Sequence, residues 1–102
     1  MSRGGVFWLE LEAEGRRPVC VLTRDEAILS LRNVVVALVT GRRRGLASEV
    51  VLGPDDGVPR ECAISLDNLR TVPKALLTET ITQLGSERMS EVCRALIAAT
   101  SC

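Results

Sequence analysis

The sequence predicts a β-rich α+β fold: a small β-barrel or curled sheet packed by one C-terminal amphipathic helix. Three observations carry this. Short apolar stretches alternate with turn-forming residues through most of the chain. Asn33–Val39 contains four valines and has high β propensity. Apolar residues near the end fall at helical spacing. At 102 residues, 46% of them hydrophobic, the chain is long enough for one core and is read as a single domain, 1–102. Phe7 and Trp8 are its only aromatics, so that core is aliphatic.

Val6–Leu11 alternates Phe7, Leu9 and Leu11 against Trp8 and Glu10, as a strand does. Glu12–Arg17 reads as a short polar loop, and Pro18–Thr23 as a more buried strand that opens on proline, where no ladder donor is required. The run Gly15-Arg16-Arg17-Pro18-Val19-Cys20 therefore fixes Arg17 at the mouth of a buried strand. Asp25–Leu31 has room for a helical turn with Thr23 as its cap. Asn33–Val39 is the third strand, and Thr40–Ser48 a loop rich in glycine and arginine. Glu49–Leu52 is a short strand ended by the turn signal Gly53-Pro54-Asp55-Asp56-Gly57. Cys62–Ser65 and Thr78–Leu84 are weaker strands. Met89, Val92, Cys93, Leu96 and Ile97 make one stripe of a helix, with Ser86 as its cap and Glu87 at the positive end of its dipole.

The net charge is zero but unevenly spread. Residues 15–44 hold seven arginines and two acids, and the remainder six basic and eleven acidic residues. Such asymmetry predicts a basic face for an anionic ligand; the plainer reading is a solvated arginine loop. There is no histidine and no tyrosine, so chemistry falls to Arg, Thr, Ser, Asp, Glu, Lys or Cys. Cys20, Cys62, Cys93 and Cys102 lack metal-binding spacing, and no metal or cofactor is expected. Cys20 and Cys93 read as small core hydrophobes. No apolar run reaches a membrane span or a signal segment, which predicts a cytoplasmic protein. If the strands that begin at Arg17 and end at Thr40 are antiparallel neighbours, the two side chains share one end of the sheet. A cation, a hydroxyl and the loop of Arg42, Arg43 and Arg44 would then make a phosphodiester site.

Five stretches in order resemble the MazF/PemK toxin endoribonucleases of bacterial toxin–antitoxin pairs. They are Arg3-Gly4-Gly5-Val6-Phe7-Trp8, Arg17-Pro18-Val19-Cys20-Val21, Val34–Thr40, Asp67-Asn68-Leu69-Arg70-Thr71 and Leu77–Ala99. The resemblance implies an SH3-like β-barrel and a homodimer restrained by a MazE-like antitoxin. It also implies metal-independent cleavage of single-stranded RNA (mRNA, or tRNA or rRNA). Arg17 and Thr40 match the family's active-site pair, and Glu14, Arg16, Arg42, Arg43, Arg44 and Asn68 are the RNA-binding set expected beside them. The chain departs from the pattern at Gly5, where the family has an acid. It departs again in the five-residue stretch between Leu11 and Arg17, which leaves Glu12 or Glu14 to replace the usual glutamate base. Arg70 reads as a core-edge or salt-bridge residue and Trp8 as packing. Two other readings stay open: a gyrase-poisoning toxin on the same barrel, and an inactive homologue that only binds antitoxin.

Overall fold

The computed structural model describes residues 1–102. Its strands are β1 (Gly5–Leu11), β2 (Gly15–Val21), β3 (Asn33–Thr40), β4 (Glu49–Leu52), β5 (Cys62–Pro73) and β6 (Leu77–Gln83). They form one antiparallel sheet in the order β4-β5-β3-β2-β1-β6. Helix α1 (Asp25–Ile28) is a single turn, and α2 (Ser86–Thr100) closes the chain. The sheet is curled and its edge strands β4 and β6 do not pair with each other. The turn after β4 spans the gap instead, where Thr82 Oγ1 donates to the Asp56 carbonyl at 2.9 Å. Gly57 turns there with φ +92°, and any Cβ would collide with the Thr82 hydroxyl.

β3 is a nearly unbroken apolar run because it is buried on both faces. Ala37 and Val39 join one core with Val6, Cys20, Leu52 and Ile64, covered by Met89, Val92 and Ala95 of α2. Val34, Val36 and Leu38 join the other with Phe7, Leu9, Val19 and Ile28 of α1.

Several boundaries differ from the sequence reading. The expected loop Glu12–Arg17 shrinks to Glu12–Glu14, because Gly15 takes the left-handed turn (φ +75°) and lets β2 start with Arg16 and Arg17 inside it. Thr23 does not cap α1; its Oγ1 accepts the Val35 N–H at 2.8 Å and ties the turn to β3. The short strand expected at Cys62–Ser65 runs on to Pro73 through a bulge, since Leu38 of β3 pairs with Ser65 and Ala37 with Leu69. In α2, the N-cap is Gly85 rather than Ser86. The buried stripe is Met89, Val92 and Ala95 with Leu96 and Ala99 beside it, because the small alanines let the helix lie close on β4 and β5. Cys93 and Ile97 are thereby turned outward, and Cys93 is not a core residue: its Sγ accepts from Arg3 Nη2 at 3.2 Å.

Candidate active site

The β2–β3 register sets the site. Val19 faces Leu38 and Val21 faces Val36. Carried two residues further, it brings Arg17 opposite Thr40, on the same face as Val19 and Leu38. The β5 bulge then pushes residues 66–68 out of register beside Leu38. A cavity of about 430 Å³ lies here, lined by Arg17, Thr40, Arg42, Arg44, Asn68 and, in addition, Glu49, Ser65, Asp67 and Arg70.

The cavity is lined by four guanidinium groups, and both of its carboxylates are engaged. Glu49 Oε1 accepts the backbone N–H of Arg44 at 2.9 Å and of Leu46 at 3.4 Å. Asp67 Oδ2 accepts a short hydrogen bond from Ser48 Oγ. Asn68 Nδ2 donates to Ser65 Oγ at 2.8 Å. Thr40 Oγ1 accepts the Arg42 N–H at 3.2 Å, which leaves its own proton to donate into the cavity. The side chains of Arg42 and Arg44 have no ion-pair or hydrogen-bond partner in the chain, so their donors are free for an external anion.

Glu14, on the β1–β2 turn, reaches the site from above. Its Oε2 stands 3.8 Å from Arg17 Nη1 and 3.3 Å from Arg70 Nη1. Glu12 is exposed and makes no such contact. The structure places two of the expected binding residues elsewhere. Arg16 alternates with Arg17 and so points to the opposite face, 2.6 Å from Glu79, 3.4 Å from Glu10 and 4.5 Å above the Trp8 ring. Arg43 turns away from its loop neighbours to Glu61, at 3.3 Å.

Glu49, Ser65, Asp67 and Arg70 were not singled out as site residues from the sequence. Asp67 and Arg70 lie in the motif around Asn68, which marked their neighbourhood; Glu49 and Ser65 carry no sequence signal. Burial pushes the Cys20 thiol up to about 12, and burial, then Asp56 and Glu61, raise that of Cys62, so neither offers a thiolate near neutral pH. No three His, Cys, Asp or Glu side chains converge as a metal site. What the cavity can do is bind a phosphodiester: guanidinium forks supply paired donors to phosphoryl oxygens, and a fixed hydroxyl adds another.

The comparisons with known proteins give the family and the fold. The PemK-like, MazF-like toxin family of type II toxin–antitoxin systems matches residues 2–100. The probable endoribonuclease MazF5 of Mycobacterium tuberculosis is 47% identical over 99% of this chain and 94% of its own. The probable endoribonuclease MazF2 of the same species is 40% identical over 98% and 99%. The solved structure of M. tuberculosis toxin MazF-mt6 superposes with a TM-score of 0.87 at 31% identity, covering 95% of this chain and 96% of that one. The curled sheet, the C-terminal helix and the match along nearly the whole length lead to one conclusion: this chain belongs to the PemK-like, MazF-like toxins of type II toxin–antitoxin systems.

Proposed function

We propose that the protein is a toxin endoribonuclease that cuts single-stranded RNA at selected sequences, by attack of the 2′-hydroxyl on its neighbouring phosphate. The new O–P bond forms as the P–O5′ bond breaks, and the departing 5′-oxygen takes a proton from solvent water, leaving a 2′,3′-cyclic phosphate and a 5′-hydroxyl. Arg17 and Thr40 contact the phosphoryl oxygens and stabilise the charge that builds on them. Glu14, the carboxylate in contact with Arg17, accepts the 2′-hydroxyl proton, and Arg42, Arg44 and Asn68 hold the flanking chain. Arg16 and Arg43 lie outside this cavity, and any contact they make is with RNA further along the strand. The protein acts as a homodimer in the cytoplasm, where its substrate is, under the control of a MazE-like antitoxin.

The observation that carries this reading is the convergence of Arg17, Thr40 and two unpaired arginines on one cavity. The relatives named as endoribonucleases support it. Purified protein incubated with a defined RNA in EDTA is expected to cleave it and leave the ends described. A correctly folded Arg17→Ala protein should be slower by roughly 10²-fold or more, the scale of losing one transition-state donor. Full activity in that variant overturns the mechanism.

A further inference from the structure

A second cavity, of about 410 Å³, opens on the other side of the Thr40 strand end. Its walls include Trp8, Pro18, Val39, Pro59 and Ile81, with Arg60 and Glu61 as the only charged residues. Trp8 and Pro18 face each other across β1 and β2 and so share the face that Arg17 does not occupy. The walls combine one indole and two pyrrolidine rings, flat apolar surfaces suited to a planar heterocycle. The volume lies within the ~300–1,000 Å³ of small-ligand sites.

Two observations join this cleft to the guanidinium cavity. Thr40 lines both. Gly41, the next residue, lines the cleft and has open space where a Cβ would stand, so no side chain of its own rises between the two cavities. A nucleotide next to a phosphate held at Arg17 and Thr40 thus has its base within reach of the cleft. At the rim, Glu61 is held by Arg43 at 3.3 Å and keeps acceptor capacity for the amino or imino protons of a base. An aliphatic peptide anchor would fill the same volume, but it carries no N–H edge to meet the carboxylate at the rim.

We infer that this cleft is a nucleobase subsite, taking one base of single-stranded RNA from a nucleotide flanking the scissile phosphate, seated against the part of the Trp8 indole that Arg16 leaves uncovered and read at its edge by Glu61. The inference rests on the ribonuclease reading above. It makes Trp8 a binding residue and gives the enzyme a source of sequence preference away from the arginines that hold the phosphates.

Trp8 is the only tryptophan, so the test is optical. The protein is titrated with end-labelled 2′-deoxy hexanucleotides of each base, which lack the attacking hydroxyl and stay uncut. An abasic hexamer of the same charge is the control. Anisotropy reads binding, and Trp8 emission reads the cleft. Base-bearing hexamers should quench Trp8. The abasic hexamer should bind without quenching and more weakly by roughly 5- to 150-fold, the worth of a stacked base. Pro59→Glu, on an exposed loop, should raise KM for RNA and abolish that difference at unchanged kcat, while Glu61→Gln should reorder the four bases. Hexamers that bind with no change in Trp8 emission overturn the subsite and leave the ribonuclease standing. Absence of both binding and RNA cleavage overturns the two together. Emission that responds only to protein dilution, or only to an acidic partner segment, gives the cleft to a second copy or to a protein and overturns the proposal.

Discussion

Arg42, Arg43 and Arg44 are consecutive in sequence and divided in space. The guanidinium groups of Arg42 and Arg44 line the anion cavity with no partner of their own, whereas Arg43 is paired with Glu61. A phosphate contact releases counterions from the strand, so its loss flattens the dependence of log K on log salt by roughly 0.7 per contact on a single strand. Arg42→Gln and Arg44→Gln should each reduce the slope for RNA binding by about that amount, and Arg43→Gln should leave it nearly unchanged. Equal slopes for all three variants would return the loop to solvent. Glu49 acts on the same loop from below, since one carboxylate oxygen gathers the N–H groups of Arg44 and Leu46. Glu49→Ala frees those donors and should raise KM for RNA several-fold, while Glu49→Gln, which keeps an acceptor oxygen, should recover most of the loss. A Gln variant as impaired as the Ala variant would show that the charge, not the tether, is what matters.

The turn Gly53–Gly57 and helix α2 meet in a clamp that holds the open sheet closed. Arg88 Nε donates to Asp56 Oδ1 at 2.9 Å and Nη2 to Oδ2 at 3.1 Å, while the Gly53 N–H donates to Asp56 Oδ2 at 3.0 Å. The hydrogen bonds from Arg88, then from Gly53, hold the Asp56 carboxyl below its ordinary 3.8. A carboxyl depressed in the folded state stabilises the fold above that ordinary value, and the contribution fades as pH falls through the lower folded value. The melting temperature should therefore drop below about pH 4, and Arg88→Ala should shrink the drop. At neutral pH the same variant should lose about 1 kcal/mol, roughly 4–8 °C in Tm. An acid limb of unchanged depth in Arg88→Ala would assign the acid sensitivity to other carboxylates. The turn itself was legible, because glycine, proline and aspartate announce it. Its partner was not, since Arg88 lies 32 residues away and its place depends on how α2 rolls onto the sheet. The same roll misassigned Cys93: two overlapping apolar stripes fit the helix, and alanines at 95 and 99 decided between them by allowing close approach. Arg17 and Thr40 could be paired from sequence because Arg17 directly precedes the buried part of β2 and Thr40 ends β3. Arg16 could not be separated from Arg17 until Gly15 had fixed where the β1–β2 turn stops and the alternation of β2 begins.

At the scale of the whole molecule, zero net charge hides a division of labour. Arg17, Arg42, Arg44 and Arg70 surround one cavity whose carboxylates, Glu49 and Asp67, are already hydrogen-bonded by the chain itself. Such a cavity draws any flexible polyanion, whether RNA phosphates or the carboxylates of an acidic protein segment, and the two cannot occupy it together. A segment that orders itself on binding can wrap a large surface despite its ordering cost, so a small acidic partner suffices to block a site built for RNA. We therefore expect a homodimer that co-purifies with the product of a co-expressed acidic antitoxin gene and is silent while bound. Its association rate should fall steeply with ionic strength, because the same arginines steer the encounter. Arg42→Gln and Arg44→Gln should weaken partner and RNA alike, whereas Arg43→Gln should spare both. Co-expression followed by mass measurement and an RNA cleavage assay checks this. A monomer that keeps full activity beside that product, with no co-purification, refutes the dimer and the inhibition for that pair. A partner whose binding ignores both salt and Arg42 would place its contact away from the cavity, and inhibition would then have to come from a change in the fold rather than from occupation of the site.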